Sequence, residues 1–143
     1  MLGKIGVVGC GAVGGFYGAK LCRAGRHVHF LLRSDYGSIR KNGLRIRSGD
    51  GDFCVHPTAA REPGEIGPCD LVIIALKSTA NHRLGELLPP LVGKHTALLT
   101  LQNGLDNETA LAALFPNRPV FGGMCFVCIN RTEPGVIHHI AHG

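Results

Sequence analysis

Residues 6–15 read GVVGCGAVGG, and five of these ten are glycine. Ahead of them, Lys4 to Val8 is a short run rich in β-branched residues, the pattern of a strand buried on both faces and entering a turn at Gly9. Behind them, Val13, Phe16, Tyr17, Lys20, Leu21 and Ala24 fall at spacings of three and four, which predicts a helix from Ala12 that Gly25 stops in the left-handed conformation. His27 to Leu32 (HVHFLL) predicts a second strand, so the chain begins with a βαβ unit whose crossover must be right-handed.

Gly9, Gly11 and Gly14 satisfy G-x-G-x-x-G between a strand and a helix, the context that gives this motif its meaning. Gly9 permits the tight turn, Gly11 leaves room for a pyrophosphate to approach the backbone, and Gly14 lets helix and strand pack closely. Ala12 and Val13 open the helix, whose unpaired N–H groups and positive dipole end face the phosphates. The ligand these features predict is a dinucleotide; a glycine-rich turn without a ligand is the bland alternative.

Sheets that bind NAD carry Asp or Glu at the end of the second strand, for the ribose 2′-OH. Here the strand ends Leu31, Leu32, Arg33, Ser34. A guanidinium can hold a 2′-phosphate through two charge-assisted hydrogen bonds, so Arg33 predicts NADPH (NADP+) as the cofactor. Asp35, close by, opposes that reading, and a solvated surface charge is the other account of Arg33. Asp70 to Leu76 (DLVIIAL) returns as a buried strand, with Lys77 just past its carboxyl end, where open α/β sheets bind ligands. On position alone, Lys77 serves a cofactor or simply ends a strand in solvent. Gln102, Asn103 and Gly104 follow the next strand pattern in the same way, as amide groups near a reactive ring or as a loop turn.

The remaining segments predict strands alternating with helices: an α/β, Rossmann-like, doubly wound and mostly parallel sheet in one domain over residues 1–143. GLRIRS and DFCVHP around GDGD read as a hairpin, and REPGEIGPCD reads as loop. STANHRLGELLPPL reads as a helix ending before Pro89, TALLTLQ as a strand, and DNETALAALF as a helix capped at Asp106 or Asn107. The tail, VFGGMCFVCINR then GVIHHIAHG, reads as two strands joined around Pro134 and Gly135.

Lys and Arg outnumber Asp and Glu by 15 to 10, a formal charge of +5 that favours anionic ligands. With no basic run interleaved with aromatics, it does not indicate nucleic acid. No apolar run approaches the roughly 18 residues of a membrane span, and MLGKIGVVGCGAVGG lacks the apolar core and cleavage site of a signal peptide. Six irregularly spaced cysteines fit reduced thiols in a cytoplasm better than a disulfide scaffold. Cys125 and Cys128 form C-x-x-C, but on a strand they point to opposite faces. His138 and His142 would share a strand face without His139, which fits surface or domain-interface histidines and no metal site.

With GCGAVG, LLRS, LK after a buried strand, QNGLDNE and PGVIHHIAHG in that order, the chain resembles the 2-dehydropantoate 2-reductase (ketopantoate reductase) family along nearly its whole length. The resemblance implies a Rossmann domain that holds NADPH. A mostly helical domain follows in the family, and the 2-oxo acid ketopantoate is reduced to pantoate in the cleft between them, on the way to pantothenate and coenzyme A. It places Gly9, Gly11 and Gly14 at the pyrophosphate, Arg33 at the 2′-phosphate, Lys77 on the cofactor, and Asn103 beside the nicotinamide ribose and the substrate. The family's general-acid lysine and substrate-holding carboxylate belong to the helical domain, beyond Gly143. The resemblance therefore implies no catalytic residue in this chain, cofactor binding with little or no turnover, and an exposed apolar face able to drive self-association into a homo-oligomer. A nucleotide-sensing Rossmann module and a reductase of another 2-oxo acid remain alternatives.

Overall fold

The computed structural model describes residues 3–143; of the N-terminal stretch just discussed, Met1 and Leu2 lie outside them. β1 (Lys4–Val8), α1 (Ala12–Arg23) and β2 (His27–Leu31) form the βαβ unit that the sequence predicts, with Val8 opposite Leu31 in a parallel pair. The chain continues through α2 (Tyr36–Asn42), β3 (Leu44–Ser48), β4 (Phe53–Val55) and β5 (Thr58–Ala60). Next come α3 (Pro63–Ile66), β6 (Cys69–Ile74), and α4 (Leu84–Leu87) between two 3-10 turns, Ser78–Arg83 and Pro89–Leu91. β7 (Val92–Thr100), α5 (Asn107–Leu114), β8 (Val120–Gly122), β9 (Val127–Glu133) and β10 (Val136–His142) complete it.

Six strands in the order β5-β2-β1-β6-β7-β8 make one sheet, and every neighbouring pair in it is parallel. The chain winds outward from β1 to β5, then crosses back to β6 and winds out the other way. This is the doubly wound Rossmann-like arrangement.

Both faces of the sheet are buried, and the period of two along its strands divides the core. Ile5, Val7, Val28, Phe30 and Ile73 pack with Phe16 and Ala19 of α1 on one side. Val8, Leu31, Val72, Ile74 and Leu98 pack with Ile66, Leu84, Leu87 and Leu111 on the other.

A second sheet, ordered β4-β3-β10-β9, departs from the single sheet that the sequence predicts. Its hairpin β3–β4 is antiparallel as expected, but β3 also pairs in parallel with β10, Ile46 opposite Ile137. This sheet covers the outer face of α1, where Ile137 lies over Gly15 and the His139 ring stacks on Phe16 at 4.6 Å. On its inner face α1 places Gly18 against the Phe30 ring, with no room for a side chain. Glycine inside a helix costs about 1 kcal/mol relative to alanine. Here that cost is offset by the closeness with which two sheets press on one helix.

Other expectations are corrected. STANHRLGELLPPL is not one helix: a 3-10 segment, Ser78–Arg83, runs into the single α turn Leu84–Leu87, where Gly85 weakens any longer helix, and a second 3-10 turn starts at Pro89. VFGGMCFVCINR is two strands: Gly122 ends β8 in the first sheet, and β9 begins afresh in the second. REPGEIGPCD contains the single turn α3, closed by a capping box between Glu62 and Glu65. Asp106 is the N-cap residue of α5, as expected, but at φ 66° and without the side-chain bond of a cap, and the Asn107 amide points back to the Asn103 and Gly104 carbonyls. His139 is a core histidine, not a surface one. It is buried, and its Nδ1 lies 2.8 Å from the Ser48 hydroxyl. Phe121, Met124 and Phe126, around the passage from β8 to β9, are exposed.

Candidate functional site

β1 and β6 are the strands at which the winding reverses, and beyond their carboxyl ends opens a cleft of about 1460 Å³. Open α/β sheets hold their ligands at such a point. Gly9, Gly11 and Ala12 line one wall, Arg33 comes from the end of β2, and Lys77 from the end of β6. Val13 and Gly14 lie behind that wall in α1. Asn103 does not reach this cleft; it is exposed in the turn after β7, where its carbonyl accepts a bond from Asn107 Nδ2 at 3.2 Å. Gln102, beside it, ties strand ends together: its Nε2 donates to the Leu76 carbonyl at 3.0 Å and to Asn81 Oδ1 at 2.6 Å.

The three glycines of the motif divide by what surrounds them. Gly9 has φ 99°, and a Cβ there would stand 2.7 Å from the Leu76 nitrogen. A Cβ on Gly14 would overlap the Gly9 carbonyl oxygen and stand 2.9 Å from the Ala75 methyl. Both are demanded by the protein's own packing. Around the Cβ direction of Gly11, no protein atom lies within 4 Å. Its backbone, at φ −79°, suits any residue, and the described residues leave room there for a ligand to approach the backbone. Immediately after it, α1 starts with no side-chain cap and no acidic residue in its first turn. Its first N–H groups therefore face the cleft without internal partners. These residues fit the pyrophosphate of a dinucleotide.

Charge at the cleft is mostly positive: Arg33, Arg61, Lys77, Arg83 and Arg131 line it, against Asp35, Glu62 and Glu86. Asp35 is moreover neutralised. Arg131, arriving from β9, grips its carboxylate with both Nε (2.9 Å) and Nη2, while the Gly135 N–H donates at 3.2 Å and the Ser34 hydroxyl at 3.1 Å. The sequence reading missed Arg131, which lies 96 positions from Asp35 with no local signal to connect them. It also missed Arg61, whose guanidinium stacks 4.5 Å from the centre of the Tyr36 ring. At Cys10, in the glycine turn, burial, aided by the Asp35 charge and opposed by Arg131, pushes the thiol up to about 12, which favours its protonated form.

Burial alone would raise the Asp35 carboxyl, but the bonds from Arg131, Gly135 and Ser34 outweigh it and hold the group below its ordinary value. A carboxyl lowered on folding adds stability that is present above its unfolded value of about 3.9 and lost as pH falls through the lower folded one. Asp35→Asn is therefore expected to flatten the loss of stability below about pH 4, read from denaturant melts at stepped pH. An unchanged acid limb would mean that the pair is uncoupled from folding.

Known proteins share this sequence pattern and fold. The family model described as "Ketopantoate reductase PanE/ApbA" matches residues 5–143. A 2-dehydropantoate 2-reductase of Nostoc sp. is 45% identical over 141 residues, which are 98% of this chain and 44% of that protein. The crystal structure of 2-dehydropantoate 2-reductase from Geobacter metallireducens superposes with a TM-score of 0.94 at 52% identity, over 98% of this chain and 47% of that one. The enzyme of the same name from Methylococcus capsulatus gives 0.91 at 36% identity, over 98% and 46%. The chain thus spans about half the length of the relatives it matches. From its first strand to its last residue, this chain belongs to the ketopantoate reductase family.

Proposed function

We propose that this chain is the NADPH-binding part of an oxidoreductase that reduces the 2-oxo group of ketopantoate to pantoate. The observation that carries the cofactor is the empty space at Gly11 beside the free N-terminal N–H groups of α1, at the point where the sheet reverses. Gly9, Gly11, Ala12, Val13 and Gly14 form the pyrophosphate turn, and Arg33 takes the 2′-phosphate. Lys77, on the opposite wall, contributes charge to the phosphates or the ribose. Asn103, exposed in the turn after β7 and outside the cleft lining, is assigned to the nicotinamide ribose and the substrate on the family resemblance alone. When bound, the cofactor supplies the hydride for the carbonyl carbon.

A proton must also reach the carbonyl oxygen, and a positioned acid typically contributes about 10²–10⁴-fold. The reading assigns Lys77 to the cofactor and not to that transfer, so it includes little or no ketopantoate reduction by this chain alone. The ketopantoate substrate itself is supported by the names of the relatives. All six cysteines are free, which suits the reducing cytoplasm to which we assign the protein. No helix among the described residues is long and apolar enough to cross a membrane.

Calorimetric titration with NADPH and with NADH in moderate salt tests the reading. NADPH is expected to bind at least about tenfold tighter. Equal affinities would sink the cofactor assignment, and turnover at the rate of a full-length reductase would sink the division of labour.

A further inference from the structure

An acidic side chain just after the second strand is the feature that lets such sheets prefer a free ribose 2′-OH, because it repels a 2′-phosphate. This chain carries one, Asp35, two residues beyond Arg33 and on the wall of the same cleft. Its carboxylate is not available for that task. Both oxygens are taken: Oδ1 by Arg131 Nη2 and by the Ser34 hydroxyl at 3.1 Å, Oδ2 by Arg131 Nε at 2.9 Å and by the Gly135 N–H at 3.2 Å. The residue is 5% exposed.

We propose that Arg131 is a specificity-determining residue for the cofactor: its planar fork occupies Asp35, cancels the charge that would repel a 2′-phosphate, and leaves Arg33 to bind it. The inference rests on the NADPH reading above and adds a second residue to it, on a different strand of a different sheet. Arg131 acts through Asp35 and is thus a positioning residue. A lysine could not replace it fully, since an ammonium is a point charge without the paired N–H groups that match both carboxylate oxygens.

The test is a matrix of dissociation constants for NADPH and NADH with the whole chain, its R131M, R131K and D35N variants, and the double variant R131M/D35N. R131M keeps the aliphatic stem and frees the carboxylate, and is expected to shrink the NADPH-to-NADH preference roughly tenfold. D35N alone should keep the preference, and R131M/D35N should recover most of it, because no carboxylate is left to unmask. R131K should fall between wild type and R131M, and serves if R131M does not fold.

A merely structural tie between the two sheets would weaken both cofactors alike and leave their ratio unmoved, which overturns the proposal. So does a double variant as unselective as R131M, which would mean that Arg131 itself grips the phosphate. Wild-type protein that binds both cofactors equally overturns the NADPH reading and this inference with it. A selective wild type whose R131M and R131K variants stay equally selective overturns the inference alone.

Discussion

Gly14→Val is expected to lower the melting temperature by roughly 10 °C, while Gly11→Ala leaves it unchanged and abolishes tight nucleotide binding. The contrast follows from what each glycine faces. A Cβ at Gly14 meets the backbone of Gly9 and the methyl of Ala75, at the junction of β1, β6 and α1. Neither neighbour is the loose end of a long side chain, so the helix must retreat from the sheet. Overpacking of this kind typically costs 1–3 kcal/mol, and a branched side chain belongs near the top of that range. At Gly11 the protein itself offers open space, so an alanine fits the apoprotein without strain. The methyl would instead stand where the phosphates approach the backbone. Differential scanning calorimetry and NADPH titration of the two variants separate the roles. A Gly14→Val protein that melts like wild type, or a Gly11→Ala protein that binds like it, would refute the division between them.

Arg33→Ala is expected to weaken NADPH by between about tenfold and a hundredfold and to change NADH by less than about twofold. Two charge-assisted hydrogen bonds are lost with the guanidinium, each worth about 1.5–3 kcal/mol in favourable surroundings. Arg33 is exposed, so solvent screening brings the effect below that sum, to about 1.4–2.8 kcal/mol. The difference between the two cofactors should also narrow as salt is raised, since only one of them presents the additional dianion. Fluorescence or calorimetric titration at two ionic strengths measures both effects. Equal losses for NADPH and NADH would place Arg33 at the shared pyrophosphate instead.

The parts of this molecule that were legible in its sequence are those determined by near neighbours. The βαβ unit could be read because apolar period, glycine turn and helix stop all fall within residues 4–32. β6 could be read because a strand covered on both faces is a continuous apolar run. α2 went unread because a single buried residue, Ile39, anchors its seven, too few to show a period. The second sheet was half visible: its hairpin is local, but the partner of β3 is β10, at the far end of the chain. The candidate site divides the same way. The glycine turn and Arg33 announce themselves, whereas Arg131 reaches Asp35 only through the pairing of that second sheet.

The confinement of α1 between two sheets also bears on the thermodynamics of the ligand. A helix held on one face by Phe30 and on the other by Ile137 and His139 is braced by two sheets within two turns of its N-terminus. The anion-binding end is therefore set before any nucleotide arrives, and little ordering entropy is lost on association. A ligand that binds only this geometry draws the equilibrium toward it, by an amount that grows with its concentration. On the proposed function, the second sheet, though it lies outside the parallel array that forms the crevice, would share in the stabilisation that a bound nucleotide confers.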